Sequence, residues 1–273
     1  MADRPSQLAA GAAIGRSMDA RVKTDSMMAA TQGRPEFSVV SPVRNEAENV
    51  ETLVREITEA LAGRAYEIVF VDDASQDDTR ARLFALKDKV PQLRVIGHRK
   101  NAGQSRAVRS GVAAARANVI VTLDGDGQND PADIPGLLSQ LTRGDAPGDL
   151  ALIQGRREKR MDSNWKRMGS RFANRVRRSI LQDKNSDSGC GMRAFRRDAY
   201  LQLPYFDHMH RYLPALMMSE GLMVEERPVG HRMRQHGRSN YTNFGRLAVA
   251  VSDMRGVMWL RKRRKSPGGV DEI

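Results

Sequence analysis

The sequence contains one cysteine, few aromatic residues and no long apolar run, and each shortage excludes a class of protein. Cys190 is the only cysteine among 273 residues, so we expect neither an internal disulfide nor a cysteine-based zinc site, and a packed rather than reactive thiol. No stretch approaches the ~20 apolar residues of a membrane-spanning helix, so we expect none to cross a bilayer. Residues 1–35 lack the apolar core of a signal peptide, and we expect a disordered extension and no export.

Several common fingerprints are missing as well. There is no Gly-x-Gly-x-x-Gly turn and no Gly-Lys-Ser/Thr loop, which argues against dinucleotide-binding and P-loop proteins. No serine-hydrolase elbow occurs either. An aromatic content of 5% leaves few rings to stack on nucleic-acid bases.

Positive charge, in contrast, is abundant and unevenly distributed. The formal net charge is +12. Residues 1–150 contain 19 Lys+Arg and 21 Asp+Glu, whereas residues 151–273 contain 26 and 12. The second half is therefore strongly basic, which predicts an anionic partner such as nucleic acid, a membrane surface or an anionic ligand.

Short apolar runs alternate with longer amphipathic ones from Phe37 to about residue 155. The apolar runs predict strands over Phe37–Val43, Tyr66–Val71, Leu93–Ile96, Val119–Leu123 and Leu150–Ile153. The stretches between them predict helices over Glu46–Leu61, Thr79–Lys89, Gln104–Ala117 and Asp133–Leu141. This order is typical of an α/β fold with a doubly wound, mostly parallel sheet.

After residue 155 the alternation ends, and the sequence predicts a basic, largely helical C-terminal region. We expect helices over Trp165–Leu181, Tyr212–Glu220 and Tyr241–Arg264. A short strand is predicted over Met192–Phe195. Met223–Val229 is predicted as an edge strand, because Pro228 would interrupt a central one.

Acidic side chains follow the fourth predicted strand. Asp124 and Asp126 are separated by Gly125 and followed by Gly127. Ligands of open α/β sheets bind at the carboxyl ends of the strands. Neighbouring carboxylates repel each other, and hard oxygen ligands favour Mg²⁺ or Mn²⁺. In isolation Asp-Gly-Asp-Gly would indicate a turn, but after a buried strand we favour the metal site.

Polar side chains also follow the first two strands. Asp77 and Asp78 are explained by the start of the next helix, with Asp77 as its N-cap residue and Asp78 at the positive end of its dipole. The helix start does not explain Asp72 and Asp73 at the end of the second strand, and we expect these two acids to accept hydrogen bonds from a base or a ribose. For Asn45, after the first strand, we consider two roles that can hold together, which are capping the following helix and lining the same pocket.

Several ordered motifs resemble the inverting family 2 glycosyltransferases. They are Val39-Val40-Ser41-Pro42-x-x-Asn45-Glu46, Val71-Asp72-Asp73-x-Ser75-x-Asp77-x-Thr79, Asn101-x-Gly103-x-x-x-Ala107 and Asp124-x-Asp126-x-Gln128. Similarity to the polyprenyl-phosphate branch, such as dolichol-phosphate mannose synthase, lies in Ser188-Gly189-Cys190-x-Met192-Arg193-Ala194-Phe195 and Gly237-x-Ser239-x-Tyr241. The resemblance implies a GT-A-like domain over 36–240, with the extension 1–35 before it and an amphipathic helix and polybasic tail over 241–273.

The resemblance also implies roles for individual residues. The nucleotide would be held by Pro42, Asn45, Glu46, Asp72, Asp73 and Asp124. The metal, Mg²⁺ or Mn²⁺, would be held by Asp124, Asp126 and Gln128, which makes the two aspartates the catalytic residues. The acceptor phosphate would be bound by Arg156, Lys166, Arg167, Ser170, Arg171 and Arg234. The chain departs from the family pattern at Arg238, often acidic, and at Asn240, usually Lys.

The implied reaction explains the charge asymmetry. A nucleotide-sugar donor carries a diphosphate and a polyprenyl phosphate acceptor carries another anion, so cations are needed where the two meet. The acceptor phosphate is already ionised at neutral pH, so we expect no general base. Two alternatives are a family 2 glycosyltransferase with a non-lipid acceptor and a nucleic-acid-binding module. The latter has no recognisable fold motif here and leaves the acids without a role, so we expect no nucleic acid as partner.

The predicted terminal helix suggests a membrane surface as a further partner. Apolar residues recur in it at three- and four-residue spacing, which usually indicates packing against a core: Phe244, Leu247, Val251, Met254 and Met258. The basic run 261–265 follows directly and is typical of attachment to anionic lipid heads. We expect a cytoplasmic protein, peripheral at the inner face of the membrane. Because the transmembrane hairpins of many relatives are missing, a membrane-protein partner is a further hypothesis.

Overall fold

The computed structural model describes residues 34–158, 181, 186–187, 189–233 and 243–265. Contacts between residues divide the chain into two units, Met1–Pro35 and Glu36–Ile273. The fold described below belongs to the second unit. Its centre is a seven-stranded sheet in the order β3-β2-β1-β4-β6-β5-β7. The strands are β1 Phe37–Val43, β2 Tyr66–Asp72, β3 Leu93–Gly97, β4 Val119–Thr122, β5 Leu150–Arg157, β6 Arg193–Arg196 and β7 Met223–Val229.

Helices cover both faces of this sheet. Within the described ranges they are α1 Val50–Ala60, α2 Thr79–Lys87, α3 Gln104–Ala114, α4 Ile134–Leu141, α5 Arg197–Gln202, α6 Leu213–Ser219 and α7 Asn243–Arg263, with 3₁₀ turns at Pro131–Asp133 and Met209–Arg211. Because alternate residues of a strand point to opposite faces, Val39 packs in one core and Val40 in another. The first core takes side chains from α1, α2 and α4, and the second from α3, α5, α6 and α7.

The five predicted strands of the first half and the helices between them are confirmed, with shifted ends. The largest shifts are of four residues: β5 ends at Arg157 instead of Ile153, and α1 begins at Val50 instead of Glu46. Asn45 has a φ of +56°. The N–H groups of Glu46 and Ala47 donate to Thr79 Oγ1 (2.8 Å) and Asp77 Oδ2 (3.2 Å). The chain is therefore hydrogen-bonded to the β2–α2 loop and to the first residue of α2 before α1 begins.

β6 runs antiparallel to its neighbours β4 and β5, whereas the other described pairings are parallel. The mostly parallel sheet is thus confirmed, with one reversed strand. Because β6 is reversed, its first residue, Arg193, lies opposite Thr122 at the carboxyl end of β4. The residues just before β6 are thereby brought to the edge where β1, β2 and β4 end.

α7 passes beside α6 from this carboxyl edge toward the opposite edge of the sheet. In its first half, Ala250 O accepts a hydrogen bond from Tyr212 Oη (3.0 Å), and Tyr212 adjoins the 3₁₀ turn whose His210 contacts Ser105 at the start of α3. Just beyond its end, Arg264 pairs with Glu220 (3.0 Å), shortly before β7 begins beside the first residue of β5. The helix therefore extends roughly along the strands.

The predicted extent of this terminal helix agrees with α7, but the predicted packing of its apolar stripe is wrong for Val251 and Met258. Val257 is fully buried, whereas Val251 and Met258 are exposed and Met254 is partly buried. Apolar residues occur on several sides of α7, so spacing alone does not identify the packed side. The side chains of Phe244 and Leu247 lie outside those described. Among the described residues, no helix has the length and apolar character that crossing a bilayer requires.

Candidate active site

The ends of β1 and β4 meet closely at the carboxyl edge of the sheet. A Cβ built on Gly125 would lie 2.3 Å from Val43 Cγ1 and 3.0 Å from the carbonyl oxygen of Pro42, so this approach requires glycine. Gly127 has a φ of +72°, in the left-handed region that favours glycine. Residues 124–130, called the acidic loop below, therefore lie directly beside the end of β1.

Asp124 is held from three directions. Its N–H donates to Asn129 Oδ1 (2.9 Å), within the acidic loop. Its Oδ1 accepts a hydrogen bond from Gln104 Nε2, at the start of α3 (2.8 Å). Gly191, just before β6, lies against the other oxygen, because a Cβ built there would be 2.2 Å from Asp124 Oδ2. The carboxylate is thus oriented before any ligand binds.

Two arginines beneath the acidic loop act on Asp124 electrostatically. Arg193 is buried in β6, where its Nε donates to Gln154 Oε1 (2.7 Å). Burial lowers the pKa of Arg193, and Asp124 is among the anions that oppose this shift. Burial also disfavours the charge of Arg157, but two 2.7 Å bonds to Asp187 outweigh it and raise the pKa. Both guanidinium groups stay charged. The charge of Arg157 is balanced by Asp187, whereas the partner of Arg193 is the neutral amide of Gln154, so it is Arg193 that favours an anion at this edge.

Asp126 lies next to Asp124 and is 9% exposed. Its Oδ1 accepts a hydrogen bond from the N–H of Gln128 (3.1 Å), so the two residues share a turn. Among the described residues, no three His, Cys, Asp or Glu side chains cluster as metal ligands. Mg²⁺ is commonly held by one or two carboxylates together with substrate phosphates and water. The acidic loop therefore fits an ion that is bound together with a diphosphate.

Asp72 and Asp73 lie at the end of β2. Asp73 is 4% exposed, and its carboxylate accepts the N–H groups of Ala102 and Gly103 (both 2.8 Å) and contacts His98 Nδ1 (2.7 Å). Asp72 accepts from Ser75 N (3.0 Å) and from Arg80 Nε (2.6 Å). Both acids thus order the loops that follow β2 and β3. Their contact with a base or ribose stays a prediction.

Asn45 connects the ends of β1 and β2. Its N–H donates to Ser75 Oγ (2.9 Å) and its Oδ1 accepts from Gln76 N (2.8 Å). Of the two roles considered for Asn45, helix capping is wrong, since α1 has Asn49 as its N-cap residue. Asn49 Nδ2 donates to Glu46 Oε2 (2.6 Å), so the Glu46 side chain is oriented at the start of α1.

The predicted acceptor-phosphate residues are described only in part. Arg156 is exposed near the end of β5, in register with Pro228 of β7. The other five lie outside the described residues, as does nearly all of the predicted basic helix: Lys166, Arg167, Ser170, Arg171 and Arg234. The acceptor assignments therefore stay predictions.

Sequence reasoning missed several residues that build this site. Arg193 and Gly191 lie within a segment that resembles the polyprenyl-phosphate branch. The position of Arg193 beside an apolar strand pattern could have indicated that its charge is buried. Gln104 has no local signal, since it resembles any polar residue at a helix start. The prediction for Cys190 is confirmed, because its thiol is buried and burial raises its pKa to about 11.

Two sequence relatives share most of this chain. A dodecaprenyl-phosphate galacturonate synthase of Rhizobium johnstonii is 32% identical over 240 residues, which cover 85% of this chain and 69% of that protein. An undecaprenyl-phosphate 4-deoxy-4-formamido-L-arabinose transferase of an Enterobacter species is 33% identical over 80% of this chain and 65% of that protein. The chain thus spans about two thirds of the length of these relatives.

A solved structure shares the fold. It is glucosyl-3-phosphoglycerate synthase from Mycobacterium tuberculosis in complex with Mn²⁺, uridine diphosphate and glucosyl-3-phosphoglycerate. The TM-score is 0.62 at 20% identity, over 88% of this chain and 84% of that chain, so the fold is GT-A-like. The sequence profile described as glycosyl transferase family 2 matches residues 38–203. With the acidic loop at the carboxyl edge of such a sheet, the chain belongs to glycosyl transferase family 2.

Proposed function

We propose that this protein transfers a sugar from a nucleotide-sugar donor to a polyprenyl phosphate, with inversion at the sugar and with Mg²⁺ or Mn²⁺. The observation that carries the proposal is the pre-oriented pair Asp124 and Asp126 beside Pro42 at the carboxyl edge of the sheet. The acceptor class is supported by the names of the two relatives, both of which are polyprenyl-phosphate enzymes.

The side chains at this edge suit a single displacement. Asp124, Asp126 and Gln128 would hold the ion, which when bound would act as a Lewis acid on the donor diphosphate. An oxygen of the acceptor phosphate forms the new bond to the anomeric carbon, and the bond from that carbon to the diphosphate breaks. The attacking oxygen is already ionised, so no side chain has to remove a proton. Arg193 adds fixed positive charge near Asp124, whereas the charge of Arg157 is balanced by Asp187.

The test is a transfer assay with a donor panel. Purified protein is incubated with Mn²⁺ or Mg²⁺, labelled nucleotide sugars and a polyprenyl phosphate, and the organic phase is counted. We expect label in that phase with at least one donor, and none when either the lipid or the metal is omitted. If every donor leaves the label in water, the proposed acceptor is wrong. Label on a soluble phosphate acceptor would support the non-lipid alternative.

The outward side of α7 supports the proposed membrane surface as a partner. Trp259 and Met258 are 60% and 47% exposed. The exposed cations Arg255, Lys262 and Arg263 lie on the same side of the helix. Exposed apolar rings among cations are suited to a bilayer interface with anionic lipids. Arg264, in contrast, pairs with Glu220 within the fold (3.0 Å), so the basic run is only partly directed outward.

The double substitution Arg255→Gln and Lys262→Gln is expected to weaken binding to anionic liposomes. Each basic residue near such a surface contributes about 1 kcal/mol, so the loss should be roughly 25-fold in partitioning. The matched control is Lys87→Gln with Lys89→Gln, which removes two exposed charges from the other face of the sheet. Liposome co-sedimentation measures both.

Tryptophan fluorescence gives an independent measurement of the same contact. The chain has two tryptophans, so Trp165→Phe leaves Trp259 as the single reporter. We expect its emission to shift to the blue with anionic vesicles and to be quenched by brominated lipid. An unchanged spectrum, or equal loss of binding in the Lys87/Lys89 control, would contradict docking through α7.

A further inference from the structure

The residues that follow β7 return to the acidic loop and pair with it. Asn129 and His231 form an antiparallel bridge, and the N–H of Arg232 donates to the carbonyl oxygen of Gln128 (2.9 Å). Two residues before Arg232, the N–H of Gly230 donates to Asp133 Oδ2 (2.7 Å). The chain after β7 is thus fixed along the second half of the acidic loop.

The Arg232 side chain connects three elements at this point. One guanidinium nitrogen lies 2.8 Å from Glu56 Oε2 of α1, and another lies 2.7 Å from Asp130 Oδ1 at the end of the acidic loop. Arg232 is partly exposed, at 39% of its side chain. These two ion pairs therefore join α1, the acidic loop and the segment after β7 through a single side chain.

The acidic loop needs such a constraint because of its glycines. Gly125 permits the close approach to β1 and Gly127 has a positive φ, and glycine has the largest backbone freedom of any residue. Asp126 and Gln128 flank Gly127. Two metal ligands on either side of a glycine keep their geometry only if the residues that follow them are held in place. Arg232 holds these residues, because its N–H donates to Gln128 O and its side chain pairs with Asp130.

From these contacts we infer that Arg232 is a positioning residue of the metal site, which holds Asp126 and Gln128 in the arrangement that receives the ion. The inference rests on the proposed function, which supplies the metal. Arg232 does not touch substrate in this assignment. It acts through the acidic loop, in the way that outer residues of metal sites orient the ligands.

The test compares Arg232→Met with Arg143→Met. Arg143 also joins two carboxylates, Glu225 (2.7 Å) and Asp145 (3.4 Å), but on the side of α4 that faces β7, away from the acidic loop. Mn²⁺ binding is measured by electron paramagnetic resonance in the presence of uridine or guanosine diphosphate, without any acceptor. The Mn²⁺ dependence of transfer and the Tm of each variant are measured in parallel.

We expect Arg232→Met to weaken Mn²⁺ binding about 10-fold, the lower end of the effect of outer-residue mutations at metal sites. Arg143→Met should leave Mn²⁺ binding unchanged even if its Tm falls by a similar amount. Arg232→Lys, which keeps the charge but not the two-armed geometry, should lie between the wild type and Arg232→Met. Saturating Mn²⁺ should restore most of the kcat of Arg232→Met.

Equal Mn²⁺ binding by Arg232→Met and the wild type would overturn the inference, as would an equal loss in Arg143→Met. Failure of the proposed acceptor is distinguishable from both, because the binding measurement contains no lipid. Wild-type protein that binds Mn²⁺ with the nucleotide but makes no lipid product contradicts only the acceptor class. Wild-type protein that binds no Mn²⁺ contradicts the metal site and Arg232 together.

Discussion

Asp126→Ala is expected to abolish sugar transfer while the protein remains folded. The variant removes a carboxylate that lies beside Asp124 in the acidic loop and that is assigned to the metal. Loss of the ion's charge stabilisation should cost about 4 kcal/mol in the transition state, roughly a thousandfold in kcat/KM. The fold should persist because the side chain, although largely buried, lies in a turn outside both hydrophobic cores.

Transfer rates and thermal unfolding of Asp126→Ala are compared with those of Asp149→Ala. Asp149 is an exposed aspartate just before β5, at the opposite edge of the sheet. Its replacement should leave transfer and Tm unchanged. Asp126→Asn keeps the shape but not the charge, and should be nearly as inactive as the alanine variant. Full activity of either Asp126 variant would remove the metal assignment.

Gly191→Ala should lower transfer about 100-fold, although Gly191 carries no functional group. The added Cβ would lie 2.2 Å from Asp124 Oδ2 and 2.4 Å from its Cγ, so the carboxylate has to move. A displacement of about 1 Å in a catalytic group can cost about 100-fold in rate. Gly148→Ala is the matched control, because a Cβ there meets nothing within 4 Å.

A double-mutant cycle separates this effect from general misfolding. If Gly191→Ala acts by displacing Asp124, it should cause little further loss in a protein that already carries Asp124→Ala. The measurement is kcat/KM for the donor in the four proteins of the cycle. Additive losses, or an active Gly191→Ala variant, would show that Gly191 does not position Asp124.

The first half of the fold could be predicted because its signals are local. Each strand from β1 to β5 is a short, mainly apolar run, and the acids of the site lie at the end of β2 and shortly after β4 along the chain. The topology of a parallel sheet then brings strand ends to one edge. That is why Asp124 and Asp126 were identified from sequence as neighbours of the residues after β1.

The rest of the site depends on contacts distant in sequence. Gln104 contacts Asp124 from the start of α3, and Gly191 does so from just before the reversed strand β6. No local pattern reports the direction of a single short strand. Arg232 is two residues from the predicted Arg234, yet its role follows from ion pairs to Glu56 and Asp130. Such partners can be identified only when the chain is folded.

The packed side of α7 illustrates a third limit. Its sequence offers Val251, Met254, Val257, Met258 and Trp259, which point in several directions around the helix. Which of them is buried is decided by the surface that the helix meets. Val257 faces α6 and the second core, and Trp259 faces outward.

The edge-to-edge course of α7 also determines how the protein would rest on a bilayer. From Ala250 to Arg264 the axial rise is about 21 Å, roughly along the strands. In a molecule lying on this helix the strands would run roughly parallel to the lipid plane, so the carboxyl edge of the sheet would face sideways along the membrane surface. A lipid acceptor could then offer its phosphate by lateral diffusion, with its hydrocarbon tail still in the leaflet. The enzyme would then use the acceptor without removing the lipid from the bilayer.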